Sequence, residues 1–217
     1  MPKTDLFDRT GYDNMNRGSF YLIIGSILAW GCIATYIVSS MTALWRPSAL
    51  ELLVVGLVIP LLGVLLSISD SAVLSFVGFN LVAIPFGATL GPLLYEYNIS
   101  KPGLVTECAL LTAFVAGVMA LSGFLFPNFY RSIGGVLFGA LTTLVVVLIV
   151  SMFVPQIASF GIVQWGSATI FALYIGYDMW RASDIPATLD NAVDVALSLY
   201  LDVINLFLSL LDILDDD

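Results

Sequence analysis

Histidine is absent from the 217-residue sequence, and charged residues make up only 11% of it. Without histidine, the chain cannot build a histidine metal site, a histidine general base or an imidazole pH sensor. Any proton chemistry must therefore come from carboxylates. A soluble domain of this size would carry roughly 25% charged residues, so most of this chain cannot face water.

Basic residues and cysteines are also scarce. Seven Lys and Arg stand against sixteen Asp and Glu, for a net charge of −9. No basic patch exists, so nucleic-acid binding is not expected. Cys32 and Cys108 lie in separate apolar runs. We expect both thiols to be buried and unbonded, and they indicate no redox compartment.

The acidic residues are concentrated in the N-terminal leader, in the connection from Asp184 to Asp194, and in the tail. Two interpretations remain open. An acidic exit beside a polar path could concentrate cations. Alternatively, the exposed surface is adapted to high salt, which the presence of only two lysines, Lys3 and Lys101, would fit.

Long apolar runs make up most of the sequence, whose mean hydropathy is +1.01. A membrane-spanning helix needs about 20 mostly apolar residues. Seven runs meet this requirement, at about residues 19–41, 49–69, 72–95, 103–126, 131–154, 158–180 and 192–214. The sequence therefore predicts an all-α integral membrane protein with a polar leader (1–18), a single seven-helix transmembrane domain (19–214) and an acidic tail (215–217).

Helix breakers occur inside several runs. Pro60 and Pro85 each remove a backbone hydrogen bond and can kink a helix. The cluster from Gly87 to Pro92 predicts that the third helix ends irregularly. Most other glycines in the runs predict surfaces of close helix packing.

Positive residues predict the orientation. Seven spans place Lys3, Arg9, Arg17, Arg131 and Arg181 on one side, and Arg46 and Lys101 on the other. This excess predicts a cytoplasmic N-terminus in the cell membrane. The C-terminus then lies outside.

One face of the last run is polar. Its polar residues follow one another at spacings of four and three, close to the helical repeat: Asp194, Ser198, Asp202, Asn205, Ser209 and Asp212. A carboxylate at membrane depth costs at least about 2.5 kcal/mol and is rarely placed there without a use. The polar stripe predicts a path for ions or protons.

The preceding run has a polar face of its own, formed by Tyr174, Asp178 and Arg181. The two spans are antiparallel neighbours, so Asp178 and Asp202 can meet if the helices are staggered along their axes. Two carboxyl groups in contact would share a proton. Such a pair could latch a gate, bind a hard cation such as Ca²⁺ or act as an aspartyl protease. Arg181 could instead simply form an ion pair with Asp178.

Two glutamates lie near the ends of spans. Glu51 is in the first turn of its helix, where a carboxylate complements the helix dipole, and this structural role is the favoured interpretation. Glu107 lies one turn deeper in the fourth span. For Glu107 the structural and functional interpretations remain equally open.

These residues resemble the Bax inhibitor family, also called the transmembrane Bax-inhibitor-motif family, and its prokaryotic calcium-leak members in particular. The likeness is strongest in Phe-Ala-Leu-Tyr-Ile-Gly-Tyr-Asp, ending at Asp178, and in Ala-Leu-Ser-Leu-Tyr-Leu-Asp-Val-Ile-Asn-Leu-Phe, which contains Asp202. Gly-Ala-Thr-Leu-Gly-Pro-Leu from Gly87 is a weaker match. Glu107 also falls where family members carry a glutamate.

The resemblance implies a seven-helix fold with the last helix central, and a pH-sensitive calcium leak. It assigns the proton-sensitive gate to Asp178 and Asp202, which are also the candidate Ca²⁺ ligands. The residues expected to line or support the path are Asp194, Ser198, Asn205, Ser209, Asp212, Glu107, Tyr174 and Arg181. No cofactor is expected besides Ca²⁺ as the transported ion. The expected partners are membrane lipid, calcium ions and other membrane proteins.

The chain departs from the family at the start of the third span. Bacterial members carry a basic cluster there that can pair with the first aspartate, whereas this chain reads Ser-Ile-Ser-Asp-Ser over residues 67–71. A closed latch would have to use Arg181 or the aspartates alone.

Other functions fit the same residues. A proton-coupled ion transporter would use the two aspartates in a different kinetic role, and a non-enzymatic regulator would act on stress or protease partners. An intramembrane aspartyl protease would match Tyr177 and Asp178. However, Leu-Tyr-Leu precedes Asp202 where those proteases have glycines. The favoured hypothesis is therefore a non-enzymatic calcium leak.

Overall fold

The computed structural model describes residues 15–151, 153–154 and 161–215, and nearly all of them lie in helices. Seven long helices follow one another in this part of the chain: α1 (Arg17–Met41), α2 (Ala49–Ser67), α3 (Ala72–Ser100), α4 (Leu104–Leu125), α5 (Pro127–Ser151), α6 (Gly161–Asp184) and α7 (Leu189–Asp215). No strand occurs among the described residues. The predicted all-α class is confirmed.

Six of these seven helices are long and apolar enough to cross a membrane, judged within the described ranges. The exception is α6, which is long enough but carries polar groups such as Gln164, Asp178 and Arg181 along its length. Sequence reasoning treated its run as equivalent to the others. The structure sets α6 apart as the most polar of the seven helices by mean hydropathy.

The ends of the chain differ slightly from the predicted boundaries. Helix α1 begins at Arg17, inside the predicted leader, and α7 ends at Asp215 in the predicted tail. The rest of both segments, residues 1–14 and 216–217, lies outside the described residues. The predicted start of the sixth span at residue 158 also lies outside them.

Helix α2 begins with a capping box and changes its winding one turn later. The Glu51 carboxylate accepts hydrogen bonds from the Ser48 backbone N–H at 2.7 Å and the Ser48 hydroxyl at 2.8 Å. These bonds satisfy the free donors of the helix start, which supports the structural interpretation of Glu51. A π-helical turn, Val54–Val58, separates Ala49–Leu53 from Ile59–Ser67. It lies directly before Pro60, whose missing N–H interrupts the regular hydrogen-bond ladder.

Helix α3 is continuous, so the prediction that it ends irregularly is wrong. Both Pro85 and Pro92 lie inside it. In a regular helix the residue-92 N–H would bond to the Ala88 carbonyl, and proline cannot supply it. The Thr42 hydroxyl at the end of α1 lies 3.1 Å from that carbonyl oxygen, within hydrogen-bonding distance. The same hydroxyl lies 2.9 Å from the Val38 carbonyl oxygen, so its one proton is shared between the two helices and only partly replaces the lost bond.

Burial is very uneven among the helices. In the most apolar stretch of α7, 56% of the residues are buried, against 11% in α2 and in α5. Helix α7 packs against α6, α1, α4 and α3. By contrast, α2 packs chiefly on α3, and α5 chiefly on α6. Within the polar stripe of α7, Asp202 and Ser209 are buried, whereas Asp212 is exposed.

The cysteines are unbonded, but only one is in the core. Cys108 is buried, whereas Cys32 is exposed on the surface of α1. The expectation that both thiols are buried is wrong for Cys32. An apolar run does not reveal which side of its helix faces neighbouring helices.

Charged contacts group the helix ends into two sets. The Arg17 guanidinium donates to the Ala182 carbonyl oxygen at 2.9 Å, and Arg131 forms a 3.6 Å ion pair with Asp184. At the opposite end, Lys101 lies 3.1 Å from an Asp215 carboxylate oxygen. The predicted grouping of Arg17, Arg131 and the end of α6 on one side agrees with these contacts. Lys3 and Arg9 lie outside the described residues.

We expect Gly78→Ala to destabilise the bundle, because a Cβ there would collide with the Gly63 carbonyl oxygen across the α2–α3 contact. Overpacking of this kind costs about 1–3 kcal/mol, so the midpoint of thermal unfolding in detergent should fall. Gly139→Ala is the matched control, because its Cβ would meet nothing within 4 Å. Its midpoint should stay unchanged or rise, since alanine favours helix. Equal effects of the two changes would contradict the close α2–α3 contact.

Candidate functional site

Two buried aspartates from neighbouring helices form the centre of the site. Asp178 on α6 is 6% exposed to solvent, and Asp202 on α7 is 7% exposed. Their carboxyl groups lie within hydrogen-bonding reach of each other. The structure thus makes the contact that the sequence allowed but could not establish.

The short connection between α6 and α7 sets up this contact. Pro186 stops the chain from continuing as helix, and the Thr188 side chain caps α7 by accepting the Asn191 backbone N–H at 3.2 Å. The Asn191 amide in turn donates to the Pro186 carbonyl oxygen at 2.8 Å. These bonds fix the connection where it enters α7, and the two antiparallel helices pack along their length.

Tyr200 fixes the rotation of α7 about its own axis. Its hydroxyl lies 2.6 Å from the Thr35 hydroxyl of α1, which lies 3.3 Å from the Ala83 carbonyl oxygen of α3. The Tyr200 ring also packs edge-on against Phe79 at 5.5 Å between centroids. Residues two positions apart in a helix point in directions about 200° apart around its axis. Anchoring Tyr200 on α1 and α3 therefore turns Asp202 toward α6.

Sequence reasoning gave Tyr200 no role. A signal was available, because a buried tyrosine hydroxyl usually finds a hydrogen-bond partner. The partner Thr35 lies 165 residues away in the chain, and nothing in the local sequence points to it.

A cavity of about 450 Å³, which we call the dyad cavity, lies beside the two aspartates and between α5, α6 and α7. Its remaining walls are aliphatic or aromatic. The predicted site residues that line it are Tyr174, Asp178, Arg181, Ser198, Asp202 and Asn205. The structure therefore brings six of them to one place.

A second cavity of about 450 Å³ contains Asp194, and we call it the Asp194 cavity. It lies between the end of α2, the α6–α7 connection and the first turns of α7. Arg181, Ser198 and Leu201 line both cavities. The lower half of the polar stripe thus borders two adjoining spaces.

The upper half of the stripe serves packing instead. The Ser209 hydroxyl lies 2.7 Å from the Ser167 hydroxyl of α6, and it donates to the Asn205 carbonyl oxygen at 2.8 Å. Hydroxyl pairs of this kind join helices in membranes. Asp212 and Glu107 are exposed and line neither cavity. The structure therefore does not bring these two acids to the aspartate pair.

Arg181 is exposed and does not form an ion pair with Asp178. The ion pairs seen between described residues are Lys101–Asp215 and Arg131–Asp184. At the start of α3, where family members were expected to carry basic residues, the Ser75 hydroxyl lies 2.8 Å from an Asp190 carboxylate oxygen. No basic group thus holds the aspartate pair within the part of the chain that the structure describes.

Asp178 and Asp202 are the two acidic side chains that line the dyad cavity. Ca²⁺ takes six to eight oxygen ligands. The described residues include no group of three or more acidic, cysteine or histidine side chains that could hold a metal. The Asn205 amide nitrogen is already used, since it donates to the Leu201 carbonyl oxygen at 2.7 Å.

The family profile described as "Inhibitor of apoptosis-promoting Bax1" matches residues 18–217. The chain belongs to this family. Protein LIFEGUARD 4 of Arabidopsis thaliana is 29% identical over 215 residues, covering 91% of this chain and 84% of the relative. An uncharacterized protein of Helicobacter pylori is 35% identical over 130 residues, and one of Deinococcus radiodurans is 31% identical over 146 residues.

Membership in the Bax inhibitor family agrees with the length and apolar character of the helices. Together with six helices apolar enough to cross a bilayer, it makes the chain a multi-pass membrane protein. The chain spans about half the length of the Helicobacter relative, 55% of it, and 60% of the Deinococcus relative. The resemblance predicted from the last two spans is therefore confirmed at the level of the family.

Removing the Tyr200 hydroxyl should destabilise the fold. Tyr200→Phe loses one buried hydrogen bond, which contributes about 1 kcal/mol, and should lower the thermal midpoint in detergent. Thr35→Val should cost a similar amount, and the double variant should be less destabilised than the sum of the two, because both remove the same bond. Tyr36→Phe is the control, since Tyr36 is 73% exposed. If the effects of Tyr200→Phe and Thr35→Val on the thermal midpoint add strictly, the hydrogen bond between Tyr200 and Thr35 is contradicted.

Proposed function

We propose that this Bax inhibitor family protein is a cation leak channel, with Ca²⁺ as the favoured ion, and that Asp178 and Asp202 form its proton-sensitive gate. The observation that carries the proposal is the meeting of two buried carboxyl groups from neighbouring helices beside a cavity in a membrane bundle. This would make it a member of the prokaryotic calcium-leak type. The proposed function involves no enzymatic activity.

The physical argument rests on what the pair does to a cation. Two unit charges about 4 Å apart attract by about 4 kcal/mol at an effective dielectric constant of 20. An ionised pair would therefore draw a cation into the dyad cavity. When both carboxyl groups carry protons, this attraction disappears and the cation meets an apolar constriction, which opposes passage.

The route would follow α7. An ion entering at the Asp194 cavity would pass Ser198 to reach Asp202, and it would leave toward the end of the bundle that contains Asp215. We place α7 at the axis of the bundle with six helices around it, α6 crossing the membrane like the others. The strong burial of α7 supports this arrangement.

We place the protein in the cell membrane with a cytoplasmic N-terminus and an outer C-terminus. The end of the bundle that carries Arg17, Arg131 and Arg181 would face the cytoplasm, by the excess of positive residues there. The Asp194 cavity would then be the cytoplasmic mouth.

A second candidate is a membrane regulator without channel activity. The description of the matching family names an apoptosis-promoting protein as its target, which favours action through a membrane-protein partner. A regulator would not need a pH-dependent flux. A proton-coupled transporter would need the same aspartates, but it would move protons in step with the ion.

We expect Ca²⁺ flux into liposomes that carry the purified protein to fall as pH drops from neutral to acidic. Protonation discharges the pair, and the lost attraction should lower the flux by at least about tenfold. The other titratable or charged groups on the cavity are Tyr174, Tyr177 and Arg181.

Asp178→Asn and Asp202→Asn should each flatten the pH dependence, because an amide cannot titrate. Glu107→Gln is the matched control: it removes an exposed carboxylate on α4 and should leave the profile unchanged. A native flux that is flat between acidic and neutral pH would rule out the carboxylate gate. No flux at any pH, with the protein folded, would favour the regulator. A proton gradient that drives Ca²⁺ uphill would favour the transporter.

A further inference from the structure

The dyad cavity has two unlike halves. One wall is formed by α5, whose contributions are aliphatic throughout: Leu141, Leu144, Val145 and Leu148. The facing wall carries Asp178 and Asp202. The aliphatic wall offers a cation no oxygen ligand.

One carboxylate oxygen in this cavity lacks a partner. Asp202 is 7% exposed, and its Oδ2 atom is buried without a hydrogen bond from any described residue. A buried acceptor of this kind is costly unless something donates to it. Asp202 also lines the dyad cavity, so a donor group bound there can reach its carboxyl group.

The composition of the cavity indicates what that occupant is. Ligand pockets of small molecules are mostly apolar with a few placed polar groups, and this cavity fits that description. An ammonium group needs only two or three acceptors, which the two carboxyl groups supply. Ca²⁺ needs at least twice as many. The ring faces of Tyr174 and Tyr177, which also line the cavity, are suited to a nearby cation.

We propose that the dyad cavity is a binding site for an amphipathic alkylammonium ion. Its ammonium group donates to Asp178 and Asp202, and its hydrocarbon body lies along the aliphatic wall of α5. The ammonium takes the place of the proton that the carboxyl groups would otherwise share. Binding therefore releases that proton, and charge is conserved at the site.

The weak packing of α5 favours access for such a molecule from the bilayer. Helix α5 packs chiefly on α6, and the dyad cavity separates it from α7. An amphiphile dissolved in the membrane can therefore reach the carboxyl groups without separating a tightly packed helix pair. Arg181 is the one basic residue that lines the cavity, and it is exposed. Solvent therefore screens the repulsion between its guanidinium and the bound ammonium group.

The test uses photolabelling of the full chain in detergent, without Ca²⁺, at neutral pH. The probe is octylamine bearing a diazirine, and the matched reagent is octanol bearing the same diazirine. We expect the amine to label the peptide containing residues 141–148 about tenfold more than the alcohol does, since a charge-assisted hydrogen bond separates the two. Excess unlabelled octylamine should displace it, and excess octanol should not.

Variants provide a second measurement. Asp202→Asn should reduce the amine labelling to the level of the alcohol, whereas Glu107→Gln should leave it unchanged. Equal labelling by amine and alcohol in the native protein overturns the proposal, and that comparison requires no variant to fold. Labelling that persists in folded Asp202→Asn overturns it as well. Because occupancy is read without Ca²⁺, the result does not depend on whether the protein conducts.

Discussion

The burial of two carboxyl groups within a helical membrane bundle is the constraint on which the rest of the structure depends. Neither Asp178 nor Asp202 could remain at that depth alone, because an isolated carboxylate there has no water to stabilise it. Two carboxyl groups in contact can share a proton, so that they need not both be ionised. That contact requires α6 and α7 to pack closely in one register. The capped connection, the Tyr200 anchor and the deep burial of α7 all maintain that register.

Much of this could be predicted from the sequence, because helical periodicity is a local property. The spacing of polar residues identified the polar face of α7, and the short connection made α6 its antiparallel neighbour. Those two facts made a contact between Asp178 and Asp202 possible, and the structure established it. What could not be predicted is which side of each apolar helix faces its neighbours. Cys32, Glu107 and Asp212 were misjudged or left open for that reason.

The predictions that failed share one cause: they depend on contacts between residues that are far apart in the sequence. Where α3 continues past Pro92, a threonine hydroxyl 50 residues earlier lies within hydrogen-bonding distance of the carbonyl that the proline leaves unbonded. No feature of α3 itself reveals that threonine. Likewise, the aliphatic wall of the dyad cavity comes from α5, whose uniformly apolar sequence shows no preferred face. Hydrophobicity predicts that a helix lies in the membrane, but it does not predict which helices or cavities that helix packs against.

The uneven burial of the helices has a mechanical consequence. The two least buried helices, α2 and α5, each contribute a wall to one of the two cavities, and each is held chiefly by a single neighbour. Either can rotate about one seam while the better-packed helices stay in place, since few buried contacts are lost. The volume available beside the aspartates is then set partly by the lateral pressure and thickness of the surrounding bilayer. In this bundle, lipid would act as a structural component of the cavity walls.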